Sequence, residues 1–119
     1  VHVPLNPQGM FMVYGSINGR AVNFHVDTGA TSVALSSALA DQIGLDYRKG
    51  QQEGVATASD VVKAWFVNLD EVRVGEITQR NVRAGVIEGN LPVYPLLGMT
   101  FLGQLEITKR QSLLELRQR

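Results

Sequence analysis

The sequence predicts an all-β, barrel-like domain with one or two short helices. Short runs rich in β-branched and aromatic residues recur along the chain, turns containing Gly, Asn or Pro separate them, and only two stretches carry helical spacing. At 119 residues the chain is long enough to bury one core and too short to favour two, so residues 1–119 are expected to form a single domain.

Residues 10–17 and 21–26 are rich in apolar and β-branched side chains, and Asn18-Gly19 between them is a strong two-residue hairpin signal. Ser36 or Ser37 can cap a short helix over 38–43, where Leu39 and Ile43 lie four apart on one face and Gly44 stops it. Residues 55–67, 69–74 and 82–87 read as strands separated by Asn68, by Gly75 and, at the end, by Gly89-Asn90. After Pro92 and Pro95 come the apolar Leu96-Leu97-Gly98, a short helix expected over 99–105 and a closing strand over 112–116. No internal repeat or low-complexity stretch interrupts this order.

Eleven Lys and Arg balance eleven Asp and Glu, so nothing in the charge steers the chain toward nucleic acid or an acidic membrane. The absence of cysteine excludes a disulfide framework, a thiol nucleophile and a thiolate metal site. No apolar run approaches the roughly twenty residues of a membrane span, so this segment itself is expected to make no membrane contact. The chain starts at Val1 without a secretory signal, which suggests a processed or trimmed product.

Residues 24–32 read Phe-His-Val-Asp-Thr-Gly-Ala-Thr-Ser and carry the chemistry. An apolar run ends at Asp27, and a hydroxyl and a glycine follow at once, which places a carboxylate on a tight turn where a strand leaves the core. Burial without a counter-charge raises a carboxyl pKa, and two such acids facing one another would share one proton. Asp-Thr-Gly is also good turn chemistry, in which the carboxylate merely accepts backbone hydrogen bonds. Asp41, Asp46, Asp60 and Asp70 are not followed by Thr-Gly or Ser-Gly, so a second acid of this type would have to come from a second chain. His25 is expected at the surface or an interface, facing away from Asp27, and His2 in a mobile terminus. Two isolated histidines offer no metal-ligand spacing, so neither metal nor cofactor is expected. Trp65 and Phe66 read as packing residues, and Arg117 and Arg119 as a solvated end.

Val26-Asp27-Thr28-Gly29-Ala30-Thr31-Ser32 together with Leu96-Leu97-Gly98-Met99-Thr100-Phe101-Leu102 resemble the aspartic proteases, and more closely their single-domain, retropepsin-like branch with its membrane-anchored bacterial members. The resemblance covers most of the chain. It implies a retropepsin-like acid protease barrel that works as a homodimer on an extended peptide or protein substrate. Asp27 of both subunits would activate water for direct attack on a peptide bond. Thr28 would brace the two loops across the dimer axis, Gly29 and Ala30 would shape the catalytic loop, and Leu97 and Gly98 would pack beneath it.

The same resemblance makes Ala58, Ser59 and Asp60 the tip of a substrate-binding flap. It makes Ala30, Val33 and residues 91–96 the lining of a cleft that prefers apolar side chains. Met99 stands where the retroviral pattern has arginine, so dimer contacts are expected to be built differently here. Bacterial relatives of this kind often carry an N-terminal membrane helix, which implies the soluble domain of a membrane-anchored or periplasmic protein. The competing expectation is a non-catalytic peptide-binding or dimerisation module on the same fold. A third is an enzyme that must lose an N-terminal segment before it can dimerise.

Overall fold

Asn18 and Gly19 both take positive φ, 51° and 82°, the backbone that a two-residue turn between right-twisted strands requires. They join β2 (Met12–Ile17) to β3 (Arg20–Val26), close to the expected bounds. Along β3 the buried Val22, Phe24 and Val26 alternate with Asn23 and His25, so one face of the strand supplies the core. The computed structural model describes residues 1–56 and 60–119.

Those residues form β1 (His2–Pro4), β2, β3, β4 (Val33–Ser36), α1 (Ser37–Gln42), β5 (Gln51–Ala56) and β6 (Val61–Val74). They continue with β7 (Ile77–Ile87), β8 (Leu96–Leu97), α2 (Met99–Leu102), β9 (Leu105–Arg110) and β10 (Leu113–Gln118). A seven-stranded sheet runs in the order β2-β3-β8-β4-β7-β6-β5, and a further β2–β6 pairing curls it toward a barrel. A second sheet of three strands has the order β1-β10-β9.

In α1 the Ser36 hydroxyl accepts the Leu39 N–H at 3.1 Å, while Gly44 takes φ 71° just past the end. Leu39 and Ile43 pack half-buried on the core as their spacing requires. Trp65 meets Tyr47 edge-to-face with ring centroids 5.0 Å apart, a packing contact rather than a substrate platform.

Several expectations fail for identifiable reasons. Asn68 does not end a strand: β6 runs through it, with Asn68 opposite Arg83, because a half-exposed ladder accepts a polar residue on its outer face. The strand expected over 82–87 begins at Ile77 instead. Its inward set shifts from Ile77 and Gln79 to Val82, Ala84 and Val86 around Asn81, whose φ of 57° breaks the alternation from which a strand is read. The helix expected to reach Leu105 stops at Leu102, with Gly103 as its C-cap, and Leu105 opens β9. His2 lies in β1, opposite Glu115 of β10, not in a mobile terminus. Its Nε2 donates to the Glu115 carboxylate at 2.8 Å, and this hydrogen bond first, with the charges of His2 and Arg117 behind it, holds the Glu115 carboxyl below its ordinary value.

The core joins both sheets: Phe24, Leu35, Leu69, Leu97, Phe101 and Leu116 are each fully buried in one cluster. Replacing Phe24 by alanine should cost about 3–5 kcal/mol, since such a site collapses only partly. Urea unfolding with an unchanged slope and a lowered midpoint is the expected result, and a loss under about 1 kcal/mol would show that Phe24 does not anchor this core.

Candidate active site

The loop from Asp27 to Ser32 joins β3 to β4, and these strands are not neighbours. Between them runs β8, parallel to β3 through His25–Leu96 and Val26–Leu97, and antiparallel to β4 through Ala34–Leu96. On its other side β4 runs parallel to β7. The loop therefore passes over the end of β8, and residues 97–100 fasten it from below.

Three hydrogen bonds make that attachment. The Asp27 N–H donates to the Leu97 carbonyl at 3.1 Å, the Met99 N–H to the Ala30 carbonyl at 2.8 Å, and the Val33 N–H to the Thr100 hydroxyl at 3.0 Å. Thr100 in turn donates to the Arg83 carbonyl at 2.7 Å, which ties the loop to β7 as well. Thr100 belongs to the expected helix, yet nothing in its sequence spacing reveals this bridging, because both its partners are distant in sequence. Gly98 sits under the loop: a Cβ there would overlap the Ser32 carbonyl and come within 2.9 Å of the Ala30 oxygen. No larger residue fits without moving the loop.

Asp27 is half-buried at the turn. Its Oδ1 accepts the Gly29 N–H at 2.9 Å, and its carbonyl accepts the Ala30 N–H at 3.2 Å. Among the described residues no donor reaches Oδ2. The turn thus orients the carboxylate through Oδ1. Thr28 and Gly29 are exposed beside it, and Ala30 is half-buried.

His25 is half-buried and gives its backbone N–H to the Pro95 carbonyl at 2.9 Å. Strand alternation does not separate it from Asp27, since residues two apart share a face; β3 ends at Val26, and Asp27 has already left the pleat. Val33, expected in the cleft lining, is fully buried and belongs to the core. Leu91 and Val93 are 67% and 73% exposed, so the segment before β8 presents apolar side chains outward.

Of the expected flap tip, Ala58 and Ser59 lie outside the described residues. Asp60 is described: it precedes β6, and its carboxylate accepts the Val61 N–H at 2.7 Å. On either side of this region β5 and β6 pair antiparallel, with Ala56 opposite Val61. The concavity bounded by Ile17, Arg20, Ile43 and Asp70 is at the far end of β3 and holds no residue of the Asp27 loop. Among the described residues, no three His, Asp or Glu side chains gather as a metal site would need.

The strand β3 delivers a carboxylate to a turn, β8 is threaded beneath it, and comparison with known proteins places this arrangement. The family described as "gag-polyprotein putative aspartyl protease" matches residues 13–104, and the chain belongs to that family. A retropepsin-like aspartic protease from Rickettsia conorii is similar in structure, with a TM-score of 0.84 at 29% identity over 96% of this chain and 95% of that one. The EIAV protease, in complex with the inhibitor HBY-793, shares the fold with a TM-score of 0.65 at 21% identity over 82% and 89% of the two chains.

An uncharacterized protein from Sinorhizobium sp. is 37% identical over 87% of this chain and 45% of its own length. Another, from Rickettsia prowazekii, is 34% identical over 79% and 40%. The chain thus spans less than half the length of the curated relatives it matches. The fold is retropepsin-like.

Replacing Thr100 by valine keeps its shape but strips the Val33 N–H of its acceptor and the Arg83 carbonyl of its donor. A loss of about 1–3 kcal/mol is expected in urea unfolding. An unchanged midpoint would mean that solvent replaces both bonds and that Thr100 does not fasten the loop.

Proposed function

We propose that this chain is the protease unit of an aspartic endopeptidase that acts as a homodimer, with residues 1–119 as one domain. The observation that carries this reading is Asp27, held by Oδ1 on a fastened turn with no donor among the described residues on Oδ2, in an aspartic protease family member whose 119 residues here hold one Asp-Thr-Gly. Peptide hydrolysis by carboxyl groups needs one ionised acid to activate water and one protonated acid to polarise the scissile carbonyl. Acids about 3 Å apart keep one shared proton because both cannot ionise cheaply; the aspartic-protease dyad is the standard instance of this behaviour. A two-fold axis beside Asp27 supplies the second acid from an identical surface.

In this reading Thr28 braces the loop across the axis, which fits its exposure, while Gly29 and Ala30 hold the carboxylate from within. Leu97 and Gly98 form the floor. The β5–β6 connection, with Ala58, Ser59 and Asp60, roofs an extended substrate, which binds partly by strand addition. The outward Leu91 and Val93 favour apolar substrate side chains. The bacterial relatives support a bacterial setting, in which this chain would be the soluble domain of a membrane-anchored or periplasmic protein. No helix among the described residues is long and apolar enough to cross a membrane.

Cleavage of a mixed peptide library, compared between wild type and Asp27→Asn, tests the reading. Wild type should cleave with a rate that rises with dimer concentration, and the substitution should lower it by at least about a hundredfold, the scale of a lost acid–base group. Equal cleavage by both proteins would overturn the assignment. A shared proton also requires a bell-shaped rate profile on the acid side of neutrality, so a flat profile through alkaline pH would exclude a carboxyl dyad.

A further inference from the structure

We infer that His25 selects the substrate side chain beside the scissile bond, favouring one that ends in a carboxamide or carboxylate oxygen. The inference rests on the protease reading above and names a determinant of its specificity.

Strand register places His25 in a row that crosses the sheet beside the Asp27 loop. Met12 of β2 lies opposite His25 on one side and Leu96 of β8 on the other, Ala34 of β4 lies opposite Leu96, and Gly85 of β7 opposite Ala34. Phe66 of β6 faces Gly85, so the row starts at the strand end that delivers Asp27 and reaches a strand of the proposed substrate roof. This row is on the face turned away from the core. His25 alternates with the buried Phe24 and Val26, Leu96 precedes the buried Leu97, and Ala34 stands between the buried Val33 and Leu35. Met12, His25, Leu96 and Ala34 are all half-buried there, as the wall of a shallow trough would be.

His25 is the polar group among these apolar neighbours. Its backbone N–H is taken by the Pro95 carbonyl, and among the described residues no group hydrogen-bonds its ring. An imidazole carries at least one ring N–H in either protonation state, so a donor is always present. A substrate that covers the trough removes the water that serves this donor and must offer an acceptor in its place. A carboxamide or carboxylate oxygen does so, whereas an aliphatic side chain leaves the N–H unpaired, and sites with a desolvated polar group reject the analogue that cannot bond it. The outward Leu91 and Val93 precede β8, so their apolar preference and the polar preference at His25 fall on different positions of one extended substrate.

Matched peptides, built on a sequence that the wild type cleaves and carrying either Gln or the near-isosteric Met on each side of the cut, test the assignment. Wild type should show a kcat/KM about tenfold higher for Gln than for Met at one of the two positions, the scale of one desolvated hydrogen bond. His25→Leu should abolish that preference, and His25→Gln, which keeps a side-chain N–H, should retain most of it. Circular dichroism melts report whether each variant stays folded. A wild type that treats Gln and Met alike at both positions, or a His25→Leu protein that keeps the preference, would overturn the role of His25 while leaving the protease reading intact. A wild type that cleaves no peptide would overturn both.

Discussion

The passage of residues 96–100 between β3 and β4 is the constraint on which the site depends. A loop joining two adjacent strands could collapse into a tight hairpin, but here its ends are held apart by the width of β8. The loop must then span that gap, and its backbone polar groups need partners that no hairpin ladder supplies. Leu97, Met99 and Thr100 supply them, two through their backbone and one through a hydroxyl. Gly98 is the geometric counterpart of those bonds: the approach that makes them short leaves no volume for a side chain. The position of Asp27 is thereby fixed by a segment some seventy residues away, and the carboxylate needs little support from its own strand.

This division explains what could be read from the sequence. The β2–β3 hairpin, the Ser36 cap and the Asp27 turn are local, each specified by residues within a few positions of one another, and each forms where its signal lies. The Thr100 bridge and the β1–β10 ladder join residues far apart, so no periodicity announces them. The polar run Thr78-Gln79-Arg80-Asn81 hides half of β7, because Asn81 turns the strand and resets which side chains face inward. Gly103 ended α2 earlier than hydrophobic spacing suggested, and the residues beyond it were free to pair with β10. Ala30 and Gly98 were legible as site residues through the likeness of their motifs to a family; Thr100 lay inside the same motif, yet its bond to Arg83 became visible only in three dimensions.

The two sheets divide the work of the fold. The curled seven-stranded sheet holds the Asp27 carboxylate near β3 and ends in the β5–β6 pair. The three-stranded sheet contributes Val3, Leu114 and Leu116 to the same core and presents charges outward, where Glu106–Arg117 and His2–Glu115 pair on its surface. Such exposed pairs add little stability, typically under about 1 kcal/mol each.

The homodimeric proposal also says how one Asp-Thr-Gly could serve a carboxyl dyad. Under the homodimeric proposal Asp27, held through Oδ1, would be half of a site, because a lone ionised carboxylate cannot also supply the protonated partner that polarises a peptide carbonyl. Activity that requires two copies would rise with the square of chain concentration while dimers are scarce, so under that proposal a modest association constant would keep dilute chains inactive. Under the proposed homodimer the single Asp-Thr-Gly of this sequence would divide the chemistry between two chains, and their association would set when the halves meet.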